Sequence, residues 1–179
     1  MITSMQKAVE YAKQALEIAW DGHLPVNPEM IANSLVVYTK DEITGVDKTI
    51  PIRVRAQNSF TLNASGQASL AITDEGPVFY CDYNRDEIIY RNRFTLAHEL
   101  GHVLLGHVNE HNTQQRDTTF GNYNSIERAA NSFAAELVMP EQRVRELFPG
   151  ATSVQQMSET FGVSNAAMSY RLKNLGLLG

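Results

Sequence analysis

The sequence predicts an α+β fold. A small antiparallel sheet packs on a helix carrying an HExxH motif and on a second long helix, and a helix-turn-helix-like subdomain follows. Three observations carry this expectation. Residues 35–83 hold short β-type runs, whereas from Arg91 onward apolar residues recur at the helical period. The 179 residues suit one domain, and a chain of that size buries about 70% of its unfolded surface without cross-links. The single cysteine, Cys81, can form neither an internal disulfide nor a thiolate cluster, so any metal must use His and carboxylate ligands. The expected division is residues 1–140 for the main domain and 141–179 for the helical subdomain.

Met5, Ala8, Val9, Ala12, Leu16 and Ala19 fall at helical spacing, which predicts an amphipathic helix ending near Asp21-Gly22. Asn27 caps a short helix that begins at Pro28, a position where the missing N–H costs nothing. Strands are expected at 35–39, 50–56, 68–73 and 78–83. The last two form a hairpin across Asp74-Glu75-Gly76-Pro77, where the glycine accepts a positive φ. Helices are expected from Asn92 to about Gly106, over 125–138, over 141–148, and at 153–161 and 164–175 about a Gly162-Val163 turn. Residues 108–124 are polar and without period, which reads as a long functional loop.

Charge narrows the functional classes. The chain carries 15 Lys plus Arg against 20 Asp plus Glu, a net charge of −5, which argues against general affinity for nucleic acid or anionic membrane. The imbalance lies mainly in residues 1–90, with 7 basic and 12 acidic side chains; residues 141–179 have 4 and 3. The N-terminus interleaves Lys7, Glu10, Lys13 and Glu17 with its apolar positions, unlike a signal peptide, and no run approaches the ~20 apolar residues of a membrane span. The chain reads as soluble and cytoplasmic.

His98-Glu99-Leu100-Gly101-His102 is the segment that carries chemistry. On a helix, positions four apart differ by about 40° and one turn, so the two imidazoles converge on one cation. Glu99, beside the first of them, can reach a water on that cation and serve as general base. Zinc in a catalytic site takes three protein ligands and keeps one position open. The metzincin spacing would put the third His at Val108 and a Gly at Leu105, so that pattern fails. His107, if the helix continued, would face about 140° away from the metal. The His107 and His111 pair reads as solvated side chains at a helix end. The expected third ligand is Glu127, on the next long helix, where Ala130 and Ala134 form a small-residue strip that lets two helices approach. Asn131, one turn on, can hold a ligand His through its other ring nitrogen. Glu136 competes for the ligand role but lies on the opposite side of that helix.

These segments resemble the ImmA/IrrE metallo-endopeptidases. The resemblance is carried by Arg93 to His102 (RFTLAHELGH), Leu105-Gly106-His107, Glu127 to Pro140 (ERAANSFAAELVMP), and Leu24 to Pro28 near the start. It implies a zincin-like fold with a gluzincin-like ligand set, Zn²⁺ held by His98, His102 and Glu127, and Glu99 as base. It also implies a bacterial or phage setting and a protein substrate, typically a helix-turn-helix repressor or antitoxin encoded nearby.

The residues and the resemblance together predict zinc-assisted hydrolysis of a peptide bond in such a partner. The alternative is a zinc-containing regulator or toxin module that binds its partner without cutting it. Tyr123, Tyr170, His107 and His111 are candidates to stabilise the oxyanion, and a substrate strand along the hairpin edge would suit an extended peptide. Cys81 reads as a buried apolar residue rather than a thiolate at the metal. The tail, with a net charge of only +1 from its 4 basic and 3 acidic residues, reads as a partner-docking subdomain rather than a DNA reader.

Overall fold

The structure, a computed structural model, describes residues 3–40, 44–109, 111–116 and 124–179, the side chains of 114–116 excepted. Helix α1 spans Ser4–Ala19. Thr3 and Gln6 close a capping box at its start, and Ala8, Ala12, Ala15 and Leu16 form its buried stripe. Helix α2, Pro28–Ser34, begins as its sequence dictates, with Asn27 Oδ1 accepting from the amides of Glu29 and Met30. The strands are β1 (Val36–Lys40), β2 (Asp47–Gln57), β3 (Gly66–Thr73) and β4 (Gly76–Asn84), with the one-turn helix α3 (Ser59–Leu62) between β2 and β3. Gly76 takes φ 114° where the β3–β4 hairpin closes.

The sheet departs from expectation in two ways. Among the described residues it has five strands in the order β1-β2-β4-β3-β5, and it is mixed rather than antiparallel because β2 and β4 run parallel. The chain leaves β2, crosses through α3 and lays the hairpin down with β4, not β3, against β2. Arg55 and Asp82 sit opposite each other in that parallel pair and form a fork of two hydrogen bonds of 2.7 Å, while the guanidinium stacks 3.7 Å from the Tyr80 ring centroid. The other departure is β5, Gln114–Arg116, which pairs with β3 inside the segment expected to be loop.

Helix α4, Ile89–Leu104, lies across β3 and β4, and α5, Ser125–Val138, packs on α4 and on α1. Gly101 explains how closely α4 and α5 approach. A Cβ there would lie 3.0 Å from Phe133 Cδ1.

The tail comprises α6 (Glu141–Leu147), a 3₁₀ turn, α7 (Val154–Phe161) and α8 (Asn165–Asn174). Gly162, at φ 61°, ends α7. One apolar core runs from Ala8 on α1 to Leu172 on α8. Polar tethers join the tail to the helices beneath it, among them Arg93 on α4, which donates to the Gly162 carbonyl 2.6 Å away, and Arg171 on α8, which pairs with the buried Glu136 on α5 and donates to the Met139 carbonyl. Among the described residues no helix is long and apolar enough to cross a membrane.

Candidate metal centre

The middle of α4, from Thr95 to Val103, is buried between the sheet and α5. His98 and His102 therefore face each other one turn apart away from bulk water, with their Nε2 atoms separated by 2.9 Å. Asn124 caps α5 by accepting from the Ile126 amide, which sets Glu127 in the first turn of that helix. Glu127 Oε2 lies 3.1 Å from His98 Nε2, and Oε1 lies 3.5 Å from His102 Nε2. Among the described residues, these three make the one group of His, Cys, Asp and Glu whose ligand-type atoms lie together, all within 4.8 Å.

The donor chemistry of this group suits a cation. His98 Nδ1 is 2.9 Å from Asn131 Oδ1, and because an amide oxygen can only accept, the ring nitrogen donates. The remaining lone pair of His98 then sits on Nε2, at the point the three side chains share. Two imidazole nitrogens and a carboxylate converging there form a set of electron-pair donors that a metal ion satisfies. Close contact with His102 and then with His98 holds the Glu127 carboxyl well below the usual carboxylate range, so it is charged at neutral pH.

Glu99 is fully buried, on the side of α4 that meets the sheet. Its neighbour is Gly66, where a Cβ would lie 2.5 Å from Glu99 Oε1 and 2.5 Å from Thr95 Cγ2. Nothing in the local sequence of β3 signals that contact, because it is made only when the sheet docks on the helix. Cys81, also fully buried, has its thiol pushed well up by burial and then by the Glu99 charge, so it stays protonated. Glu136 turns away from this group to Arg171 and to the Glu141 amide.

His107 is not where a continuing helix would put it. Helix α4 stops at Leu104, and Gly106 at φ 75° reverses the chain. The His107 amide bonds to His102 O and the Gly106 amide to Val103 O, the paired bonds of a Schellman stop. The reversal swings the ring back over α4, with His107 Nδ1 3.0 Å from His102 Nδ1. Burial, and then the nearby His102, lower the His107 pKa to about 4. The signal for this placement was Gly106 itself, directly after the apolar run.

His111 lies beyond, its amide donating to Asn109 Oδ1. Tyr170 is exposed on α8 and lines a cavity of about 640 Å³ together with Asn131 and Arg128. Tyr123 falls outside the described residues. The hairpin edge expected to receive a substrate strand is occupied by β5 from Gln67 to Ser69.

The sequence profile of the IrrE N-terminal-like domain, a peptidase family, matches residues 82–173. The chain belongs to the ImmA/IrrE family. The match runs from the last residues of β4 through α4 and α5 to most of the tail, so the His98, His102 and Glu127 group lies within it. No curated protein matches the chain. As an ImmA/IrrE-type metallopeptidase the protein acts on protein substrates, and the His98, His102 and Glu127 group is its candidate metal-binding site.

Proposed function

We propose that the protein is a zinc-dependent endopeptidase, with His98 Nε2, His102 Nε2 and Glu127 as the metal ligands and Glu99 as the catalytic base. The observation that carries this reading is the convergence of those three side chains with His98 already engaged at Nδ1 by Asn131. When bound, zinc supplies Lewis acidity, drawing the pKa of water down from about 15.7 toward about 7 and polarising a carbonyl.

The chain's own residues do the rest. Glu127 contributes the one formal negative charge of the ligand set, leaving a divalent ion still electrophilic. Glu99, buried beside that set, accepts a proton from the attacking water and returns it to the leaving amine, so the leaving group departs neutral. Asn131 keeps the His98 ring from rotating. The packing of α4 between sheet and α5 excludes bulk water from the two imidazoles, which strengthens each of these electrostatic contacts.

The substrate we infer is a helix-turn-helix transcriptional repressor or antitoxin, which sets the action in the cytoplasm. Family membership and the resemblance of the motifs support this. In this reading residues 1–140 form a zincin-like catalytic domain, and residues 141–179 form a helix-turn-helix-like subdomain that docks the partner. The near-neutral charge of those residues favours a protein surface over DNA.

Glu99→Gln separates cutting from holding. The variant should keep its metal, measured by elemental analysis, and lose cleavage of a regulator encoded beside its gene by about 10²–10⁴-fold. Cleavage at the wild-type rate would refute the assignment of Glu99. A phenotype in cells that survives Glu99→Gln would instead favour a protein that works by binding.

A further inference from the structure

We propose that His107 is a positioning residue for the metal centre: its Nδ1 accepts the Nδ1 proton of His102 and so commits the His102 Nε2 lone pair to the metal. This rests on the reading of His98, His102 and Glu127 as ligands.

The argument is one of proton placement. Two Nδ1 atoms 3.0 Å apart need a single proton between them, and a neutral imidazole carries one N–H. If His107 donated, His102 would hold its own proton on Nε2, 2.9 Å from His98 Nε2 and 3.5 Å from Glu127 Oε1. That proton would occupy the point where a cation must sit. With a cation there, the bond has only one direction: His102 Nδ1–H donates and His107 Nδ1 accepts. The consequence reaches one ring further, since His107 must then carry its proton on Nε2. The two ligand imidazoles are thus oriented by different partners, His98 by an amide oxygen on α5 and His102 by another imidazole.

The turn that presents His107 is built to hold it. Besides the paired bonds that stop α4, Asn112 Nδ2 donates to the His107 carbonyl at 2.8 Å, and Asn109 Nδ2 donates to the Gly106 carbonyl at 3.2 Å. The ring is half-buried, so the acceptor faces His102 from a fixed direction.

The first measurement is zinc uptake by the wild type; a protein that takes up none overturns the ligand reading and this inference together. In zinc-loaded wild type, long-range nitrogen–proton spectra of the imidazoles should then show His98 and His102 protonated at Nδ1 and His107 protonated at Nε2. A His107 protonated at Nδ1 overturns the inference while leaving the ligands standing. In chelator competition, His107→Phe, which keeps a ring but no acceptor, should weaken zinc binding about 10–100-fold. His107→Asn, whose Oδ1 can stand in for Nδ1, should recover most of that loss. Wild-type affinity in His107→Phe, or no recovery in His107→Asn, would also overturn it. The spectra require no variant, so a His107→Phe chain that failed to fold would leave them to decide.

Discussion

Gly66 and His107 are residues whose importance comes from what folds onto them. Both lie beside the HExxH helix, and the contacts each makes there are set by the fold rather than by its neighbours in sequence. At Gly66 a methyl group would collide with the Glu99 carboxylate and with Thr95 Cγ2, each 2.5 Å from the Cβ position. If Glu99 is the base of the proposed function, Gly66→Ala should displace it and lower kcat by up to about 100-fold, while metal content stays at the wild-type level. A variant with unchanged kcat would show that the sheet gives way instead. The placement of Asn131 on the same helix face as Glu127, by contrast, was legible in advance, because it follows at i+4 and a helix keeps that relation whatever packs around it. The position of His107 was not, because a helix carried past Leu104 gives the wrong direction and only the stop at Gly106 corrects it.

At the scale of elements, helices were read more reliably than strand pairing. Helix α5 runs over Ser125–Val138 as its period and Asn124 cap require, and α4 differs from expectation by a few residues at each end. These boundaries come from local signals: caps, stops and one apolar face. The β2–β4 pairing comes from contacts between residues such as Arg55 and Asp82, 27 positions apart, and no local pattern encodes which strand of a hairpin turns inward. β5 escapes a sequence reading because Gln114-Gln115-Arg116 has no apolar alternation to announce a strand.

Two predictions belong to this scale. Gly101→Val should cost about 1–3 kcal/mol in urea unfolding, since the added carbons meet Phe133 and press α4 and α5 apart; wild-type stability would mean the two helices can separate freely. Glu141, in the first turn of α6, has its pKa lowered chiefly by the hydrogen bond from Arg145. A depressed folded-state pKa stabilises above the unfolded value and loses that effect as pH falls. Wild type should thus exceed Glu141→Gln in stability by up to about 1 kcal/mol near neutrality. The gap should close as pH drops below 4.5, the ordinary value for this carboxyl, and through the lower folded one. A gap independent of pH would assign the effect to shape rather than charge.

Over the whole molecule, one apolar core runs through the helices of the candidate centre and on into the tail. The tethers make that union specific. Arg93 reaches Gly162 from the helix bearing His98 and His102, and Glu136 meets Arg171 from the helix bearing Glu127. Each arm of the candidate centre thus has its own polar bond to the tail, half-buried at Arg93 and buried at Glu136. Without the tail, Arg93 would lose the carbonyl it caps, and Glu136 would keep a buried charge opposite an empty space. Such a molecule has no cheap partial opening that frees the tail while sparing the arms. In heavy water, the slowest-exchanging amides of α4, α5 and α8 should share a single opening rate, so that a partner prising α8 away would loosen both helices of the candidate centre at once.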